Sequence, residues 1–174
     1  AVFSRNPFSN NDTNGAHLIG IPTYQTIPDG SPTLPGSANI LAINISGIKV
    51  RRVIVTNVVN HQLTADLIGD LSHGTDYSIL NNHTCVLDAG GEACQTLTSY
   101  IFDDSDEHNV GTDPGFPFAN QYVQHTAGPS SLNAFAGKDG QGQWLLTMVD
   151  NATNHVGTNV SLSIFLEGQP DLTG

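Results

Sequence analysis

Basic residues are scarce in this sequence. Five Lys and Arg stand against 16 Asp and Glu in 174 residues, for a formal net charge of −11. Nucleic acids are held through a Lys/Arg footprint on phosphates, so they are excluded as partners. An anionic membrane surface fails on the same ground. Long apolar runs are also missing. None approaches the roughly 18 residues that mark a bilayer span, so no membrane insertion is expected. Glu is nearly absent among the acids, with 13 Asp to three Glu. Helix surfaces are built from Glu, Lys and Ala, whereas Asp, Asn, Gly, Ser and Thr build turns, so the balance points away from a helical protein. Cysteine is limited to Cys85 and Cys94. Two cysteines cannot form a four-ligand zinc site, and their spacing is not that of a redox Cys-x-x-Cys pair. A loop-closing disulfide in an oxidising compartment is the better reading, against two buried free thiols.

The length fits one domain with its own core. The chain opens Ala-Val-Phe-Ser, without Met or an apolar signal segment. That start is expected of a mature secreted or periplasmic product, or of a piece cut from something larger.

Two regions are distinguishable. Residues 1–36 hold most of the prolines and little apolar periodicity, and read as an N-terminal arm or linker. Residues 37–174 read as the folded domain. Leu41, Ile43 and Ile45 alternate with polar or small residues, as a strand does. Around Arg51-Arg52 the apolar positions change parity, which predicts a bulge or a strand buried on both faces. Further strands are expected at Asp66–Leu71, Tyr77–Leu80 and Thr96–Phe102. Trp144–Val149 is apolar on nearly both faces, as a central strand is. Val160, Leu162, Ile164 and Leu166 mark a last strand with one face buried. No stretch carries a 3.6-residue period. The pattern is all-β: an antiparallel β-sandwich or jelly roll of about eight strands.

No zinc-protease, nucleophile-elbow, P-loop or dinucleotide motif occurs. The seven histidines are scattered, with no pair at i,i+4 spacing. Asp103-Asp104-Ser105-Asp106-Glu107 places four acids within five positions, directly after the strand ending at Phe102. Closely spaced carboxylates suit a hard cation, so Ca²⁺ is one reading, with Asp150 and Asp66 as further ligands. A solvated acidic loop is the other.

The order of several short elements resembles the P domain (P/Homo B domain) of proprotein convertases. These elements are His61…Asp66-Leu67…Leu71-Ser72-His73-Gly74-Thr75…Leu80, then Phe102-Asp103-Asp104, then Leu132-x-x-Phe135-x-Gly137, then Gly142-x-Trp144-x-Leu146-x-x-x-Asp150, then Gly157. The likeness covers about residues 37–168 and is closer to the bacterial branch. It lacks the family's Pro before Gly74. The resemblance implies a non-catalytic accessory domain, supporting the folding, stability and regulation of a catalytic peptidase domain in the same polypeptide, a secreted endopeptidase. It implies no catalytic residue. Read physically, Trp144 would anchor the core with its indole N–H on a carbonyl. Gly74-Thr75 would make a tight turn. Asp150 would either cap the turn after its strand or join Asp103, Asp104 and Asp106 around a structural Ca²⁺. A carbohydrate- or surface-binding module is the alternative, and it requires an exposed aromatic platform.

Intact-mass analysis after alkylation without reductant tests the disulfide, and no added alkyl group is expected. Two added groups would mean free thiols. Closing so short a loop should stabilise the fold by at most ~3 kcal/mol.

Overall fold

The computed structural model describes residues 15–84, 96–105, 107 and 122–169. Cys85, Cys94 and Asp106 lie outside them. Ten strands occur among the described residues: β1 (Gly15–Ile19), β2 (Gln25–Ile27), β3 (Gly36–Asn44), β4 (Val50–His61), β5 (Leu67–His73), β6 (Asp76–Asn82), β7 (Thr96–Phe102), β8 (Tyr122–Gln124), β9 (Gly142–Asp150) and β10 (Gly157–Gly168). Two 3-10 turns, Thr64–Asp66 and Leu132–Phe135, complete the regular structure. No helix among the described residues is long and apolar enough to cross a membrane.

The strands form two sheets packed as a β-sandwich. One has the order β3-β9-β5-β6, and the other β1-β10-β4-β7-β8, with β2 also on β10. All pairings are antiparallel except β7 with β8. Strand alternation explains the core directly. Ala38, Ile40 and Ala42 of β3 face Trp144, Leu146 and Met148 of β9 on the inner side, and Leu67 and Leu71 of β5 continue the layer. From the other sheet Leu18, Val53, Val55, Phe102, Leu162 and Ile164 close over them.

Trp144 is fully buried, and its indole N–H donates to the Gly140 carbonyl at 3.0 Å, as the sequence leads one to expect. Phe135 tilts against one side of the ring, and the His73 imidazole stacks on it with centroids 4.2 Å apart. Both His73 ring nitrogens lie against carbonyl oxygens, of Gln143 at 2.7 Å and Asp139 at 2.8 Å.

The parity change in β4 has both of its expected causes. Glu167 pairs with Arg52 but Gly168 with Val50, so Arg51 is the extra residue of a bulge. The strand is also buried on both faces beyond that point, because Ile54 joins Ile101 and Phe165 in a small cluster on the outer side of the sheet.

Residues 15–27, within the stretch read from sequence as an arm, are built into the sheet edge. β1 and β2 lie end to end along β10, burying Ala16, Leu18 and Ile27. Strands of five and three residues are too short to show alternation, and only pairing with β10 makes them strands. With β8 they raise the number above the eight expected.

Trp144→Ala should cost about 3–5 kcal/mol, because it removes the central aromatic with its buried hydrogen bond and leaves a cavity. Chemical denaturation checks this, and a loss below about 1 kcal/mol would show that the sheets do not depend on this residue.

Candidate functional site

The acids singled out in the sequence are divided between two ends of β4. Asp103 and Asp104 follow β7, whose last residue Phe102 pairs with Val55, so they lie beside the start of β4. Asp150 ends β9 and contacts His61, the last residue of β4. Nine residues of strand, about 30 Å, separate Arg52 from His61. A single cation therefore cannot bridge Asp103 and Asp104 to Asp150, and of the two roles expected for Asp150 the structure shows the turn cap. Among the described residues no three His, Cys, Asp or Glu side chains come together as a metal-binding group.

At the first end, alternation sends three consecutive residues to different tasks. Phe102 enters the core. Asp103 turns to the outer side and receives the Arg52 guanidinium at 2.6 Å, with side chains 0% and 5% exposed. The Ser105 hydroxyl and N–H both donate to its other oxygen. Burial alone would raise the Asp103 carboxyl, but the Ser105 donors and Arg52 outweigh it and hold the group below the ordinary carboxylate range. Asp104 turns back and accepts from the Thr126 N–H, the Thr126 hydroxyl and the Leu132 N–H at 2.7–2.9 Å. It thereby fixes the 3-10 turn that carries Leu132 and Phe135 into the core. Arg51 pairs on the surface with Glu107 and Glu167.

At the second end, two carboxylate–imidazole pairs stand side by side. His61 Nε2 lies 3.2 Å from an Asp150 oxygen, and its Nδ1 lies against the backbone of Leu63, 2.9 Å from the carbonyl oxygen and 3.1 Å from the N–H. The second Asp150 oxygen caps the following turn through the Ala152 N–H. Asp66 accepts from His155 at 2.7 Å. Gly157 is required here, since a Cβ would collide with the His61 ring. An open depression of about 690 Å³ lies alongside, lined by residues that include Thr26, Asn60, Gln62, His155 and Thr158. Among the described residues neither imidazole is hydrogen-bonded to a serine. The pairs can hold or move a proton, and they lock the β4 and β9 ends together.

The remaining elements singled out in the sequence are likewise structural. Gly74 takes φ +61 in the two-residue β5–β6 connection. Gly137, at φ +78, follows the 3-10 turn and donates to the Val50 carbonyl at 2.7 Å. Sequence reasoning missed Arg52 as the partner of Asp103, although an Arg-Arg pair in so acidic a chain is itself a signal. It also passed over Asp70, the lone acid within an apolar strand.

No protein-family model matches the chain, and no curated protein does. Two solved structures are similar. One is the crystal structure of the Aeromonas sobria serine protease in complex with its chaperone, with TM-score 0.49 and 17% identity over 90% of this chain and 26% of that one. The other is the serine protease of Aeromonas sobria, with TM-score 0.46 and 18% identity over 89% of this chain and 26% of that one. The chain thus spans about a quarter of each of these proteins.

Arg52→Met should destabilise the fold by about 3–5 kcal/mol, because it leaves Asp103 buried without its cation. Because the folded-state Asp103 carboxyl lies below its ordinary value of about 3.9, the stability it confers is present above that pH and lost as pH falls further. Denaturation curves at pH 7 and pH 2–3 check both statements. The gap between wild type and Asp103→Asn should shrink in acid, and a constant gap would refute the assignment.

Proposed function

We propose that this chain is a non-catalytic β-sandwich module of a secreted peptidase, which supports the folding and stability of the catalytic domain in the same polypeptide. One observation carries the reading. Each element of the P-domain resemblance occupies a position where it braces the sandwich. Trp144 is the bonded core aromatic, Gly74 the turn, Phe102-Asp103-Asp104 the brace between sheet and loop, Leu132 and Phe135 the end of the core, and Asp150 with Gly157 the lock on His61. Their side chains are engaged with the chain's own groups, as befits a scaffold whose work is done on its surface.

A structural Ca²⁺ shared by Asp103, Asp104 and Asp150 is no part of the proposal, given their separation and their protein donors. The carbohydrate-binding alternative asks for an aromatic platform. Tyr24 and Tyr77, the exposed aromatics among the described residues, belong to different sheets: Tyr24 is bonded to β10, and Tyr77 lies on β6.

The test is expression of the full-length gene product with and without this segment. The reading requires a peptidase domain in that product, and at least a tenfold loss of soluble, active peptidase when residues 15–169 are deleted. An equally active and stable peptidase without the segment would overturn it.

A further inference from the structure

The outer face of the β3-β9-β5-β6 sheet departs from the usual apolar-in, polar-out alternation. Register aligns Leu41, Leu145, Ser72 and Tyr77 in one row, and Asn39, Thr147, Asp70 and Ile79 in the next. Val149 and Ile68 begin a third. Ile21, bridged to Leu41 and exposed, extends the first row, and exposed Ile43 lies beyond it. Single exposed apolar residues need no explanation, but a contiguous set on one sheet face does.

Asp70 stands inside this set. One of its carboxylate oxygens is buried without a hydrogen-bond partner. Burial raises its carboxyl above the ordinary value. In this it differs from Asp66, Asp103, Asp104 and Asp150, each held by a protein donor. No Lys, Arg or His occupies these rows. Beside it the register places Ile79 and Thr147, and along the strand Ile68 and Ser72. A carboxylate with one oxygen stripped of water is a cost to the isolated chain, and an arriving cation with apolar neighbours would remove it.

We propose that this face is the docking surface for a protein partner presenting an arginine or lysine ringed by apolar side chains, with Asp70 as its counter-charge. A second copy of the chain does not fit. A two-fold contact through this face would bring the two Asp70 regions together, at −11 per copy, and Arg51, Arg52 and Lys138 are already in ion pairs. The proposal rests on the accessory-module reading for the partner's identity, the peptidase domain, and on the face alone for the partner's chemistry.

The experiment titrates the separately purified peptidase domain of the full-length product into this chain by calorimetry. Wild type is compared with Asp70→Asn, Leu145→Thr and, on the outer face of the other sheet, Ser163→Ala. In parallel, NMR follows the chain with the probes acetyl-Leu-Arg-Leu-amide and acetyl-Leu-Glu-Leu-amide. The expected result is a ten- to hundredfold weaker Kd for Asp70→Asn and for Leu145→Thr, with Ser163→Ala unchanged. The isolated Asp70→Asn chain should melt no lower than wild type, which separates a docking residue from a merely structural one. The arginine peptide should shift the Asp70 and Leu145 signals while the glutamate peptide leaves them still. If the peptidase domain binds and the face variants bind equally well, the docking face is overturned and the accessory reading stands. If the domain does not bind but the arginine peptide does, the accessory reading falls and the face remains a site for a cationic partner. Failure of both overturns the two together.

Discussion

The buried ion pair between Arg52 and Asp103 is the constraint on which the rest of this structure depends. It joins the start of β4 to the end of β7 across 51 residues of sequence. Because neighbouring residues in an extended chain face opposite ways, fixing Asp103 outward fixes Phe102 and Asp104 inward. Asp104 then holds Leu132, and through it the 3-10 turn whose Phe135 packs on Trp144. One charge pair on the outer side of a sheet thereby sets the position of an aromatic at the centre. The pair also explains why so acidic a chain keeps a guanidinium where water cannot reach it. With either partner alone, an uncompensated charge would be buried.

From that brace the chain's carboxylates divide into two kinds. Asp66, Asp103, Asp104 and Asp150 are satisfied by imidazole, guanidinium, hydroxyl or backbone donors and belong to the scaffold. Asp70 has one buried oxygen with no such donor and faces outward from an apolar sheet surface. That unmatched acid is the observation on which the proposed docking face rests. In the proposed reading the accessory role and the docking face are two aspects of that division: the motif residues brace the sandwich, and the sandwich presents a surface.

Much of the sandwich was legible because burial on one face writes itself as alternation. β10 shows it plainly at Leu162, Ile164 and Leu166, although Val160, read in the same phase, is skipped by a register shift, and β9 shows the continuous apolar run of a central strand. The β4 phase change announced its bulge at Arg51. β1, β2 and β8 were not legible, since five or three residues cannot establish a period and their partners lie far along the chain. The acids were legible as a cluster but not as individuals. Asp150 was grouped with Asp103 and Asp104 as another acid at a strand end, whereas the length of β4 from Arg52 to His61 holds them apart in space. Asp70 could have been found by placing Ile68, Asp70 and Ser72 on one face of the strand and asking what an acid does between an isoleucine and a serine.

Site-resolved carboxyl titration by ¹³C NMR on the isolated chain distinguishes the two kinds of carboxylate. Asp103 should titrate below the ordinary aspartate range and Asp70 above it. An Asp70 that titrates at or below the ordinary value, or an Asp103 that titrates above it, would contradict the claim that the first is left for a partner and the second belongs to the scaffold.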